Sequence, residues 1–480
     1  MEAGLPAERL ARADAAPKPG IVHLGPGAFF RAFNAVYTAD AIERDGGDWG
    51  IVAVSLQSPT ARDQLAPQDN LYTSVTLGPN GADYRVIPSL AKVLVAPEDP
   101  AAVVEIMAAQ TTRIVSLTVT EKGYCHEPAT GRLNLSHPDI AHDLTSDLPK
   151  SAVGFIVAAL SKRRQSGTAP FTVMTCDNLP SNGHLLRKLV LEFATAKDPA
   201  LAAWIETEVA FPSTMVDRIT PATTPADVEA LQKTKGYFDP ACVQHEPFRQ
   251  WVIEDNFPNG RPSWDKVGAQ MVTSVEAHEH MKLRCLNGTH STLAYLGYLG
   301  GYETIAETVS DPNYAKLCQI LWQAEIIPTL DPPEGEDLPA YAEALLERYR
   351  NPSIRHRTWQ IAMDGSQKLP QRILGTILDA RVAGRNTPGL ILAVAGWMRY
   401  VGGIDENGAP IEVKDPLAAD LRAAADGAAT TQAKVEALLA IRKVFDETLA
   451  NDADFKAALI TAYQGLVDHG AKEMVKRFIA

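Results

Sequence analysis

Lys282, Asn287 and His290 stand in the pattern K-x4-N-x2-H within KLRCLNGTHSTLAYLGYLG, residues 282–300. A lysine drawn out of water loses its preference for the charged form and acts as a general base near neutral pH. An asparagine NH2 donates to a developing alkoxide or polarises a carbonyl. A histidine orients a hydroxyl or relays a proton. The competing reading of the same residues is a polar stripe on a partly exposed helix.

The stretch reads as a helix, with Leu283, Leu286, Leu293, Leu296 and Leu299 near helical spacing. At about 100° per residue, Asn287 falls about 140° and His290 about 80° round from Lys282. All three then point into one wide cleft while the leucines hold the other side.

The chain around this helix has 480 residues, too many for one typical core, so two domains are expected. A hydrophobic share of 46% and a charged share of 21% describe an ordinary globular protein. The net charge of −13 argues against nucleic-acid and anionic-membrane surfaces, though a local arginine pocket still admits an anionic small substrate. The five scattered cysteines lack C-x-x-C spacing and point to a reduced, cytoplasmic protein. Residues 1–19 have no apolar signal core and read as a disordered or surface-wrapping lead-in, and no run approaches membrane-spanning length.

The N-terminal part, 1–275, reads as an α/β, Rossmann-like dinucleotide-binding domain. A short strand at Ile21–Leu24 runs into Gly25-Pro26-Gly27-Ala28-Phe29-Phe30-Arg31 and a helix over 29–43. Strand, glycine turn, helix opens a βαβ unit in which glycines let the backbone approach a pyrophosphate. Gly25, Gly27, Ala28, Phe29 and Arg31 are the candidate cofactor residues. Phe30 occupies the third-glycine position of G-x-G-x-x-G, so a plain strand-to-helix turn competes. The second strand, 50–56, ends in Gln57-Ser58-Pro59-Thr60 with no acid for a ribose and with Arg62 nearby, leaving NAD and NADP both open.

Further strands are expected at 84–87, 113–119, 171–175 and 271–275, with helices at 100–109, 151–164, 184–196 and 199–209. The strand at 113–119 delivers Glu121, which either bonds a ribose or caps a loop. The strand at 171–175 delivers Asp177 and Asn178, the latter a second donor to an alkoxide or half of a turn. Asp217-Arg218, set between apolar residues, suggests a paired and partly buried charge.

From 276 to 480 the apolar period becomes helical, with helices at 302–309, 314–326, 338–349, 368–383, 389–401, 416–426, 433–448, 453–468 and 470–479. This is a mostly α-helical second domain, and its start beside Lys282 places the lysine at an interdomain cleft. Residues 351–372 are dense in cations and amides, including Arg355, Arg357, Gln360, Lys368 and Arg372. They are a solvated turn or the wall of a pocket for an anionic, polyhydroxylated substrate, since arginine's fork matches a carboxylate. His278, Glu279, His280, Cys285 and His290 fit no zinc spacing, and no metal is expected.

The blocks GPGAFFRA, TVTEKGYC, TCDN, FPSTMVDRITP, EPFRQWVIEDNF and K-x4-N-x2-H together resemble the polyol-specific long-chain dehydrogenase/reductase (mannitol dehydrogenase) family, from Ile21 to the C-terminus. Several blocks resemble its fructuronate reductase branch most. The resemblance implies metal-independent, NAD(P)-linked oxidation of a secondary alcohol. In it Lys282 is the acid/base, Asn178 and Asn287 form the oxyanion hole, and His290 positions substrate hydroxyls. Asp217 supports the site, Glu279 gates proton release and Lys368 binds substrate. Gln360 stands where mannitol dehydrogenases carry a substrate-binding arginine, and Phe30 and Phe33 replace frequent histidines.

The expected activity is reduction of D-fructuronate to D-mannonate with NADH, NADP not being excluded. One or more of Arg355, Arg357 and Arg372 would grip the carboxylate. The alternatives are a mannitol 2-dehydrogenase or another polyol or hexonate dehydrogenase, and, in a different class, a cofactor-binding sensor without turnover. The expected partner is a small sugar acid or polyol, with no nucleic acid and no membrane. Monomer and dimer are both open.

Overall fold

The computed structural model describes residues 8–127 and 130–480. Residues 1–7 of the expected lead-in lie outside these. The rest of the lead-in is tied along the surface: Arg12 donates from Nε to the Asp69 carbonyl (2.8 Å) and from Nη2 to the Pro88 carbonyl (2.9 Å). The chain divides into two compact units, Met1–Glu276 and Ala277–Ala480.

The first unit is built on a five-stranded sheet in which every neighbouring pair is parallel. Its strands are Pro19–Leu24, Gly50–Ser55, Leu90–Val95, Ile114–Leu117 and Thr172–Thr175, laid third-second-first-fourth-fifth. The strands are apolar almost throughout because both faces are covered. Val22, Leu24, Val52, Val54, Val115, Leu117 and Val173 face one core, and Ile21, Ile51, Ala53, Ile114 and Met174 face the other. This alternation follows the period of two along each strand. Parallel strands bring all five carboxyl ends to one edge, where open α/β sheets bind ligands.

Several features differ from the sequence expectation, three of them in residues 28–95. The third parallel strand, Leu90–Val95, was not foreseen. The strand expected at 84–87 is half of a hairpin, Tyr72–Gly78 with Gly81–Ile87. The helix expected over 29–43 is two, Ala28–Ala32 and Asn34–Asp45, broken at Phe33. The break has a cause in side chains. The Arg31 carbonyl accepts from the Tyr72 hydroxyl (2.6 Å) and the Ala32 carbonyl from Arg218 Nη1 (2.7 Å). These are carbonyls that a continuous helix would offer to amides four residues on.

In the second unit the regular elements among the described residues are all helices, joined by loops that carry the isolated bridges Thr304–Arg357 and Ile404–Pro410. Three helices contain π-turns, at Lys282–Gly288, Leu321–Ile326 and Pro370–Leu374. The helices expected at 314–326 and 368–383 are therefore segmented, and that at 433–448 is split into Thr431–Leu439 and Glu447–Asn451. The last two expected helices form one run, Ala453–Ile479, bent at Gly470, where φ is +75°. Among the described residues no helix is long and apolar enough to cross a membrane.

Candidate active site

The Lys282 segment is a helix with one turn of the wrong pitch. Helix Glu276–Met281 passes into the π-turn Lys282–Gly288 and then into helix Thr289–Leu299. The pure α-helix expected from leucine spacing is corrected by this turn. An i→i+5 repeat brings residues five apart onto nearly one side, so Lys282 and Asn287 share a face that an α-helix would splay by about 140°. All three candidate side chains are buried, at 8%, 7% and 6% exposure for Lys282, Asn287 and His290. The solvated-stripe reading is thereby overturned.

Side chains from other helices hold the π-turn. The Cys285 carbonyl accepts from Trp322 Nε1 (2.9 Å) and from the Thr289 hydroxyl (2.6 Å). The Leu286 carbonyl accepts from the Tyr349 hydroxyl (2.8 Å). Gly288 is required by close approach, because a Cβ there would lie 2.8 Å from the Arg372 carbonyl oxygen, at the second π-turn.

His290 packs against two rings, with cationic side chains acting on it from beyond them. Its imidazole stacks on Tyr349 (centroids 5.3 Å, planes 17° apart) and meets the His356 ring edge-on at 4.7 Å. Burial, the leading cause, and the positive charges of Arg372, Arg348 and Lys368 push His290 well below the usual imidazole value. Burial and Lys368 bring His356 down to about 4. Both rings are neutral at physiological pH, and His290 acts as a hydrogen-bonding group rather than a cation. Its Nε2 is buried without a partner. Arg372 Nη1 donates to the Ser291 hydroxyl (3.1 Å), and Lys368 Nζ donates to the Met363 carbonyl (2.6 Å).

The other sequence candidates of this unit are more exposed. Arg355 and Arg357 are exposed, 4.0 and 3.6 Å from Glu303, and Gln360 is exposed. Glu279 is half-buried. Among the described residues no three His, Cys, Asp or Glu side chains are grouped to hold a metal. Arg348 and Tyr349 were missed, being just upstream of the cation-rich window that drew attention.

In the first unit, the turn after the first strand has the shape a dinucleotide needs. Gly25 has φ +95°, and a Cβ there would lie 2.1 Å from the Thr118 carbonyl oxygen. A Cβ at Gly27 would meet nothing within 4 Å, so the backbone is open to a ligand. Ala28 and Phe29 begin the following helix, whose first amides have no intrahelical acceptor. Arg31 is buried and donates to the Pro26 carbonyl (2.5 Å), bracing the turn from behind. Phe30 stacks on His23 at 3.7 Å, so an aromatic pair closes helix onto strand where a third glycine would otherwise do so. His23 Nδ1 and Nε2 lie 2.8 and 2.9 Å from the Ser116 and Thr118 hydroxyls, and burial holds the ring down at about 3.

At the end of the fifth strand Asp177 is more than a turn residue. Its carboxylate accepts from the amides of Val119 (3.0 Å) and Thr120 (2.9 Å) and from the Tyr124 hydroxyl (2.7 Å), fastening the loop that carries Glu121. Burial raises its pKa against the pull of those donors. Glu121 is exposed, and so is Asn178. Asp217 is buried at the end of strand Thr214–Asp217. Arg218 donates to the carbonyls of Ala32 and Glu246, a structural brace. The residues present fit a dinucleotide at this edge of the sheet.

Two family models match the chain: the mannitol dehydrogenase Rossmann domain over residues 19–266 and the mannitol dehydrogenase C-terminal domain over 274–467. The chain is 51% identical over 463 residues to the D-mannonate oxidoreductase of Escherichia coli K12, covering 95% of this chain and 94% of that one. It is 41% identical to mannitol dehydrogenase 2 of Saccharomyces cerevisiae, over 96% and 93% of the two chains. Among solved structures it resembles the ternary complex of Pseudomonas fluorescens mannitol 2-dehydrogenase with NAD and D-mannitol. That match has a TM-score of 0.86 at 39% identity, over 99% and 96% of the chains.

Proposed function

The chain belongs to the mannitol dehydrogenase family, and from that premise we propose that it interconverts D-fructuronate and D-mannonate. It is an NAD-dependent oxidoreductase acting on secondary alcohols. The single observation carrying the finer assignment is the positive charge that Arg372, Arg348 and Lys368 bring to bear on a buried, neutral His290. That much positive charge suits a substrate with a carboxylate, whereas a neutral hexitol offers it nothing to neutralise. The 51% identical relative carries the name of a mannonate enzyme.

We assign residues 1–275 to the cofactor and 276–480 to the substrate. Bound NAD supplies the hydride acceptor at the substrate's secondary carbon. Lys282 takes the hydroxyl proton in oxidation and returns it to the alkoxide in reduction. The Asn287 amide, and that of Asn178, donate to the alkoxide, an effect worth about 3 kcal/mol per donor in comparable oxyanion holes. His290 orients the neighbouring hydroxyls, Lys368 binds substrate and Arg372 takes the carboxylate. Glu279 and Asp217 serve as proton gate and support. All five cysteines are free and buried, which supports placing the reaction in the cytosol.

The test is the rate of reduced-nicotinamide oxidation with D-fructuronate and D-fructose side by side. A large preference for D-fructuronate in kcat/KM is expected. Equal or better use of D-fructose would overturn the sugar-acid assignment and leave a polyol dehydrogenase.

A further inference from the structure

The second strand, Gly50–Ser55, lacks the acid that usually bonds the adenosine ribose, and the residues after it are Leu56, Gln57, Ser58 and Pro59. Arg62 follows, in the short helix Thr60–Leu65. An arginine here is the common means of accepting the 2′-phosphate of NADP. This arginine is already taken. Its Nε and Nη2 donate to Asp63 Oδ1 at 2.9 and 2.8 Å, and its Nη1 donates to Glu98 Oε2. Every guanidinium nitrogen therefore has a carboxylate partner. Glu98 comes from another part of the sheet, just after the third strand, Leu90–Val95, which neighbours the second in parallel. Parallel strands end at the same edge, so the Arg62–Glu98 pair spans two adjacent strand ends on the adenosine side of the glycine turn. One arginine against two carboxylates leaves the cluster with a net charge of −1.

We propose that Asp63 and Glu98 make this edge selective for NAD over its 2′-phosphorylated form by clamping Arg62. The clamp acts in two ways. It occupies the fork that a phosphate would need, and it sets an unneutralised carboxylate beside a group carrying up to two negative charges. A ribose 2′-hydroxyl meets no such penalty, because a carboxylate oxygen accepts its proton readily. The selectivity is thus carried by repulsion of the wrong ligand from residues outside the second strand. The proposal rests on reading this edge as the adenosine end of the nucleotide site.

The experiment is cofactor binding without substrate, followed by quenching of protein tryptophan fluorescence with NADH and with NADPH, and by displacement of NADH with 2′,5′-ADP. Glu98→Gln is expected to tighten NADPH about tenfold while NADH changes little, and Asp63→Asn/Glu98→Gln to tighten it further. Adding Arg62→Gln to the double variant is expected to abolish the gain. An unchanged ratio of NADPH to NADH affinity in both carboxylate variants overturns the clamp and leaves the nucleotide site standing. Absence of any NADH quenching in the unmodified protein overturns the nucleotide site and the clamp with it.

Discussion

Tyr349 lies parallel to His290, ring centroids 5.3 Å apart, while its hydroxyl donates to the Leu286 carbonyl at 2.8 Å. One side chain thus sets the imidazole and closes the π-turn that carries Lys282 and Asn287. The same hydroxyl lies 2.8 Å from that of Thr289, which in turn donates to Cys285. Tyr349→Phe keeps the stack and strips the hydroxyl from a buried site. Leaving such groups unsatisfied costs about 1–3 kcal/mol. We expect urea unfolding to shift by that amount and kcat/KM to fall, with Tyr349→Ala worse on both. Unchanged kcat/KM in Tyr349→Phe would show that the π-turn holds without it.

Lys282→Met retains the buried stem and removes the ionisable group. General acid–base catalysis is worth about 10²–10⁴-fold, and a loss of that order in single-turnover hydride transfer is expected. NADH binding and far-ultraviolet circular dichroism are expected to stay as they are. Near-full turnover with the fold intact would remove Lys282 from the acid/base role.

Arg372→Met tests the carboxylate contact. Hydrogen bonds to charged groups are worth about 1.5–3 kcal/mol, so KM for D-fructuronate should rise roughly ten- to a hundredfold. D-fructose, with no carboxylate, should be affected much less. Equal losses on both substrates would mean that Arg372 only positions Ser291 and the facing π-turn.

Much of this was legible in the residues and some was not. The glycine turn, the first two strands and the helical second unit follow from periodicity and turn chemistry, which are local. The third strand, LAKVLV, escaped although it has six residues like the first two, because Ala91 and Lys92 suit a helix as well as a strand and its parallel partner Gly50–Ser55 decides between them. The break at Phe33 depends on Tyr72 and Arg218, neither of which local sequence places beside it. The π-turn was illegible for a related reason. Leucine spacing alone predicts α pitch, while the donors that meet its carbonyls, Trp322 and Tyr349, lie far along the chain. Lys282, Asn287 and His290 were found by type and spacing, and Arg348 was not, because its relevance is purely spatial.

Gly288→Ala probes the contact between the two π-turns. The new Cβ would lie 2.8 Å from the Arg372 carbonyl oxygen, a backbone atom that cannot rotate away. Overpacking of this kind typically costs about 1–3 kcal/mol. The variant should unfold at lower urea and show a raised KM for D-fructuronate, because Arg372 moves with its backbone. A KM equal to that of the unmodified protein would uncouple this contact from the substrate site.

The buried histidines fix how stability responds to acid. Burial, the leading cause in each, lowers His23 and His245 to about 3 and His356 to about 4, drives His290 well below its usual value, and lowers His126 and His278 as well. Each is kept neutral in the fold but free to take a proton when unfolded. Its contribution is therefore complete above the ordinary value of 6.5 and is lost as pH falls through the folded value. The loss reaches about 1.4 kcal/mol per pH unit for each group. Three carboxyls run the other way, Glu406 among them, raised by burial. Burial raises Asp177, and brings Glu325 up to about 7 although it accepts from the amides of Gly389 and Leu390. Their cost fades as pH falls from about 7 towards their ordinary values near 4. Six histidines against three carboxyls leave a net loss, so the urea midpoint should fall steadily between about pH 6.5 and pH 5. A midpoint that held level or rose over that interval would mean that these rings are reached by water and protonate without unfolding.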